Sequence, residues 1–449
     1  MLVTLNLRFI QRRRQLFWGV GLLLMVTTVH QLKPLFTTTA YDYPFSPPDN
    51  TDITGQLEQE LAFHKNRIRQ TPDDGLSQAA LASTYLKLAR ATGDANWYLL
   101  AEQAAQQSLQ KLPFNNEGAH IVQAKVAEAR HDFDRAILLA NQVLENKSYS
   151  EPAQSILITA HLGKGNLTEA KTIADSLVQQ IPTLGSLTLR GLVHVAQGQD
   201  TLAIQDFETA LNAEEPQEEG SSALTRTLMG RFYASRGESQ TAQQLYQEAL
   251  DILPRYPLAL VHMANLKTRQ GEYRAAKKLY SKVFTSQDYA NVWDHVALQG
   301  MAQVAKLQGN RSEAQKLWQQ AETQFRQHQD LDTFGHRRAL AQLLLDRGEP
   351  ADLPEALALM EADLAVRQDA ETLDTYARVL IQLGRWQEAQ QVLQTALEQG
   401  TRNAVIFYRA GLVEQQLGNE SAAGEYFEAA QTVDPTFGER DQRIWGLDS

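Results

Sequence analysis

The sequence contains no cysteine. That excludes disulfides, thiolate metal sites, cysteine nucleophiles and lipid attachment at cysteine. It carries no message about compartment, because a cysteine-free protein works on either side of a membrane. Proline is scarce, 14 in 449 residues, and the text is rich in Ala, Leu, Gln and Glu, a composition that favours helix throughout. No β-rich block interrupts it. Chemistry-bearing motifs are missing as well: there is no HExxH, no Walker-type or Rossmann glycine loop, and the ten histidines lie scattered. Acidic side chains are abundant, but on helix surfaces, where assigning a general acid or base would be arbitrary. The sequence therefore points away from an enzyme, and it calls for no cofactor and no metal.

Net positive charge is also absent. The chain carries −11 overall, and the first fifty residues hide part of the imbalance with five Lys/Arg against two acids. The remainder holds 37 basic and 51 acidic residues. A body of that sign repels phosphate backbones, so no nucleic-acid partner is expected.

Long apolar runs are nearly absent too. The one candidate is Leu16–Val29, preceded by Arg8, Arg12, Arg13 and Arg14. Fourteen residues fall short of the roughly 20 that span a bilayer, but uncharged flanks extend the run and Arg14 and Lys33 can snorkel. Residues 15–32 are read as a transmembrane signal anchor and residues 1–14 as a basic cytoplasmic N-terminus, since positive charge stays inside. The body is then extracytoplasmic, periplasmic in a bacterium. The alternative is a cleavable signal peptide with a secreted product, with Thr38-Thr39-Ala40 as the small-residue cleavage site. Residues 33–54 form a linker. Its Tyr41, Tyr43 and Phe45 either rest at the membrane interface or are plain spacer.

The stretch that organises the rest is Asn403–Phe437. Phe407, Ala410, Gly411 and Glu414 share one helical face, Gly418-Asn419 punctuates, and Ala423, Phe427 and Ala430 share the face of a second helix that Pro435 ends. Small residues at Gly411 and Ala423 allow close approach, with Phe407 and Phe427 filling the space around them. The punctuation recurs at Gly384, Gly348, Gly309, Gly271, Gly237, Gly198, Gly165, His131 and Gly93, at steps of 33 to 39 residues. Second-helix alanines follow each step, as at Ala136, Ala170, Ala203 and Ala242.

This pattern resembles the tetratricopeptide repeat (TPR). The resemblance covers residues 75–436 as about ten repeats, the first of them divergent. It implies an all-α right-handed superhelical solenoid behind the N-terminal segment, with a capping helix at 55–70 and a C-terminal tail at 437–449 that is a short closing helix or frayed. The blocks at 364–380 and 400–411 are similar to ones in membrane-targeted bacterial proteins of this type. The repeats run almost to Ser449, so no further domain is expected after them.

The resemblance further implies a concave groove lined by the first helix of each repeat, with a protein or peptide partner in it. Arg231, Val261, Asn265, Arg269, Gln303, Lys306, Arg378 and Tyr408 fall at groove positions. Asn265 and Arg269 share a helix face beside Arg231 and Lys306, somewhat like the carboxylate clamps of chaperone adaptors, although the full clamp set is missing. The same residues could instead form a solvated polar surface paired with Glu from adjacent helices. His161 and His194 hold equivalent places in successive repeats and read as fillers of an aromatic slot. The function expected is a non-catalytic protein-binding scaffold or adaptor at a membrane. The alternative is an assembly factor for an envelope secretion, export or maturation complex, acting through its convex face or ends.

Overall fold

The computed structural model describes residue 45 and residues 52–147, 149–216, 218–284, 292–327 and 336–447. The basic N-terminus, the expected anchor and nearly all of the linker lie outside the described residues. Among those described, no helix is long and apolar enough to cross a membrane.

A first helix, α1 (Ile53–Gln70), starts from Asp52, whose carboxylate accepts from the Gly55 N–H at 3.0 Å. Ten helical hairpins follow. They are α2 (Gly75–Thr92) with α3 (Ala95–Lys111), α4 (Glu117–Ala129) with α5 (Phe133–Asn146), and α6 (Glu151–Gly163) with α7 (Leu167–Gln180). Next come α8 (Leu184–Ala196) with α9 (Asp200–Asn212), α10 (Glu219–Ala234) with α11 (Ser239–Ile252), and α12 (Pro257–Gln270) with α13 (Tyr273–Ser281). The last four are α14 (Asp294–Leu307) with α15 (Arg311–Gln327), α16 (Arg337–Arg347) with α17 (Leu353–Leu364), α18 (Ala370–Gln382) with α19 (Trp386–Glu398), and α20 (Ala404–Gln416) with α21 (Glu420–Val433). A short helix, α22 (Glu439–Trp445), closes the series. The PADLP stretch is a 3-10 turn, Pro350–Asp352, leading directly into α17.

The hairpin turns share one chemistry. The punctuating glycines from Gly93 to Gly418 all have positive φ, between 68° and 83°. At most of the turns the residue that follows donates its N–H five residues back, as Glu272 does to Lys267 O at 2.8 Å and Asn419 to Glu414 O at 2.9 Å, whereas Asp94 donates to Thr92 Oγ1 at 3.3 Å. The backbone bond closes the orphan carbonyls of the first helix. His131 occupies the same conformation without being glycine, at φ 60°, and Asp132 still bonds back to Ala127 O at 2.9 Å. A side chain held there is strained by about 1–2 kcal/mol.

Within hairpins, glycine on the first helix meets an aromatic ring on the second. A Cβ at Gly411 would lie 2.5 Å from Phe427 Cε1, and one at Gly230 would lie 2.7 Å from Tyr246 Cε1. Gly191 and Phe207 repeat the arrangement at 3.1 Å. All three pairs are sixteen residues apart, so the ring of one helix covers the bare backbone of the other. The alanines that follow each turn, from Ala136 to Ala430, are buried where the second helix crosses the first. At the N-terminal end, Leu57 and Leu61 of α1 are buried against α2 and cover an edge of the stack.

One buried cation fixes the middle of the coil. Arg226 on α10 bonds Glu248 at 3.2 Å, Glu214 at 3.0 Å and the Ser222 hydroxyl at 2.6 Å. Its guanidinium lies 5.0 Å from the centre of the Phe45 ring. Phe45 therefore packs on the helical body.

The stack closes on itself. The turn of one hairpin meets a loop that lies five or six hairpins further along the chain. Val292 N–H bonds Gly93 O at 2.8 Å, Gln368 N–H bonds Gly163 O at 3.1 Å, and Arg367 donates to His131 Nε2 at 2.8 Å. Arg402 reaches Asp200 at 3.4 Å. Successive turns of the coil are thus tied turn to loop, and α22 lies across α12 and α14.

Candidate functional site

The inner face of the central hairpins is built by α10, α12 and α14, which place the expected groove residues as follows. Arg269, near the end of α12, is fully engaged. Its Nε donates to Asp441 at 2.5 Å, Nη2 to Asp434 at 2.7 Å and Nη1 to Ala234 O at 2.8 Å. The two carboxylates hold its guanidinium above the usual arginine range, against the opposing effect of burial. Gln303 on α14 donates to the carbonyls of Arg443 and Ile444 at 3.3 and 3.2 Å. Arg440 returns a bond to Arg269 O at 2.9 Å. The occupant of this part of the inner face is the chain's own closing helix.

Two expectations are corrected here. Arg269 does not pair with Glu from an adjacent helix: its partners come from 165 and 172 residues away. Their source is non-local because the coil has to complete a turn before they meet. Val261 is not on the groove at all. It is 2% exposed and packs in the core with Ala259, Leu260 and Ala264, because α12 buries three consecutive residues between its neighbours.

The remaining expected residues are dispersed. Asn265 is exposed and accepts from the Tyr280 hydroxyl at 2.5 Å. Lys306, also exposed, reaches Asp346 O at 3.2 Å and lies 5.9 Å from the Trp318 ring centre. Arg378 is buried and pairs with Asp346 at 2.7 Å. Tyr408 packs on Phe427 and Phe437 near the end of the stack. Arg231 bonds Glu371 of α18 across the coil, yet about half of its side-chain surface stays open within the interior. His161 and His194 each bond the side chain five residues on, Asn166 at 3.4 Å and Gln199 at 2.6 Å, and so close their own turns.

The structure gathers residues that no local pattern joins. Between the turns of hairpins two to five and the loops after hairpins eight and nine lies a cavity of about 410 Å³. Arg231, Arg236, Arg338, Arg367 and Arg402 line it with Asp369 and Glu371, and Phe133, Leu162, Leu192, Val195, Leu228 and Phe232 form its apolar wall. Arg236 makes a two-pronged bond to Asp200 at 2.9 and 2.7 Å, which Arg402 shares. Arg338 bonds Asp369 at 3.2 Å and approaches Glu371 at 3.6 Å. Loss of water depresses the Arg367 guanidinium from its ordinary range. Sequence reading placed Arg231 on the inner face but missed Arg236, Arg367 and Arg402. A faint signal existed: Arg367 and Arg402 each come just before the residue, Asp369 or Asn403, whose side chain caps the next helix.

Comparison with known proteins follows the same lines. Residues 377–436 match the tetratricopeptide repeat profile. Over 186 residues the chain is 25% identical to the cellulose synthase operon protein C of Pseudomonas fluorescens (strain SBW25), which covers 39% of this chain and 14% of that protein. The match thus spans about a seventh of the relative's length. Among solved structures, the human IFIT1 dimer with m7Gppp-AAAA is 15% identical, with 85% of this chain and 87% of that chain covered and a TM-score of 0.48. The crystal structure of the APC/C hetero-tetramer Cut9-Hcn1 is 13% identical, with 89% and 94% covered and a TM-score of 0.36. Residues 377–436 thus carry the tetratricopeptide repeat pattern, and the described residues form an all-helical stack of ten hairpins.

Proposed function

We propose that this solenoid is a non-catalytic protein-binding scaffold or adaptor, held at a membrane by residues 15–32 with its helical body on the extracytoplasmic side. The observation that carries the reading is the docked closing helix. Arg269 and Gln303 on the inner face already grip the segment that ends in the closing helix, with Asp434 and Asp441 seven residues apart against one guanidinium. Such charge-assisted bonds are the chemistry by which a basic inner face selects an acidic segment of a partner. Asn265 and Lys306, exposed beside that helix, are the positions at which a partner extends the interaction.

The relative from Pseudomonas supports a second reading, in which the chain organises an export assembly through its outer face or ends. The name of that protein assigns it to a cellulose synthase operon.

Affinity capture from native membranes, with full-length protein beside an Asn265→Ala/Lys306→Ala variant, separates the two. Arg269 is left intact because it holds the chain's own helix. A discrete partner lost from the variant supports inner-face binding. A partner retained equally by both proteins overturns that reading in favour of the outer face.

A further inference from the structure

We infer that the cavity between successive turns of the coil binds a small organic anion, with a phosphate-monoester or carboxylate head on an apolar or aromatic body. The inference is independent of the scaffold reading and concerns a different surface.

Charge is the first argument. Five arginines line the cavity against two acids. The carboxylates are shared: Asp369 serves Arg338 and Arg367, and Glu371 serves Arg231 and Arg338. Outside the lining, Asp200 serves both Arg236 and Arg402, and Asp363 faces Arg338 and Arg337 from α17. With both of those acids counted, positive charge is still in excess, in a body whose overall charge is strongly negative. Arg402 is the least satisfied, held only at 3.4 Å and 41% exposed. Gathering like charges in a space partly shielded from water raises their energy, and an anion relieves it.

Shape is the second argument. Arg338, Arg367 and Arg402 line the side of the later turn, while Leu162, Leu192, Val195 and Leu228 line the earlier one together with Arg231 and Arg236. A bare inorganic ion would leave that apolar wall wet. A volume of 410 Å³ falls within the range of about 300–1,000 Å³ typical of small-ligand sites. Because walls come from both turns, a ligand here also bridges them. Its binding therefore favours the closed coil.

The test uses the full-length protein in detergent, with phenyl phosphate, phenylacetate, inorganic phosphate and an acidic octapeptide as probes, followed by calorimetric titration and by thermal unfolding. Saturable binding of phenyl phosphate or phenylacetate, tighter than inorganic phosphate and raising the melting temperature, is expected; which of the two binds better identifies the head group. Arg402→Gln should weaken binding by roughly tenfold or more, the effect of losing one charge-assisted hydrogen bond. Ala196→Leu intrudes on the cavity from its apolar wall and leaves every charge in place, and should also weaken binding. Arg385→Gln, whose arginine pairs with Glu388 on an exposed helix start, should bind like the parent. Circular dichroism of each variant without ligand checks that the coil is folded. No saturable binding, binding as tight in both Arg402→Gln and Ala196→Leu as in the parent, or binding of the octapeptide alone overturns the inference.

Discussion

Replacing Arg269 by Ala tests whether the closing helix is held by the inner face as the geometry implies. The guanidinium makes three bonds, to Asp441, Asp434 and Ala234 O, and the two carboxylates are almost wholly buried, with 3% of the Asp434 side chain and 8% of the Asp441 side chain exposed. Removing one partner of a buried pair costs about 3–5 kcal/mol, because the other charge stays buried without compensation. The lower end applies here. Asp434 keeps the Thr436 N–H and hydroxyl at 2.9 and 2.7 Å, and Asp441 keeps the Gly438 N–H at 3.2 Å. A loss of about 3 kcal/mol raises the local opening constant by more than a hundredfold, since every 1.4 kcal/mol is tenfold. Hydrogen exchange read by mass spectrometry should show that loss in residues 434–447 and in α21. The first four hairpins should keep their protection, because solenoid stability is local. A triple variant, Arg269→Ala with Asp434→Asn and Asp441→Asn, should recover most of the protection by removing the orphaned charges. If exchange at 434–447 in Arg269→Ala stays within about threefold of the parent, an energetically important anchor at this residue is refuted.

Acid stability should follow two opposed titrations. Burial, then the nearby Arg231 charge, pushes the His262 imidazole down to about 3. Its pKa is depressed below the unfolded value near 6.5, so its contribution is complete above that value and is lost as pH falls towards 3. Asp363 behaves in reverse: burial raises its carboxyl to about 6, and neither oxygen has a hydrogen-bond partner. The folded state binds the proton first, so acidification from 6 to 3.8 adds stability, worth about 2–3 kcal/mol in total. Denaturant midpoints should therefore fall more steeply between pH 6 and 4 in Asp363→Asn than in the parent; parallel profiles would contradict the assignment. Gly411→Ala brings a methyl against the Phe427 ring at 2.5 Å and should cost about 1–3 kcal/mol by overpacking, read as a lowered urea midpoint of the last hairpin. An unchanged midpoint would mean that the ring moves freely.

Much of the fold was legible because its determinants are local. A glycine every 33 to 39 residues marks each turn, and the glycine–aromatic pairs sixteen residues apart follow from the face that each helix buries. His131 could be placed at a turn without being glycine because the surrounding period required one there. The coil's closure was not legible. Its pitch is the sum of small rotations over many hairpins, so nothing near Arg269 announces Asp434, and nothing near Asp200 announces Arg402. Val261 was misplaced for a related reason: a repeat template assigns positions by count, while burial depends on how closely particular neighbours pack. The arginine cavity belongs wholly to this non-local level.

The tie between Arg269 and the C-terminal segment also sets an order in time. At synthesis rates of about 5–20 residues per second, Asp434 and Asp441 are made roughly 10 to 30 s after Arg269. Hairpins folding behind the ribosome, or behind a translocation pore, present an unfilled basic inner face for that whole interval. Throughout it Arg269 is without its two carboxylates, and the arrival of residues 434–447 closes this window.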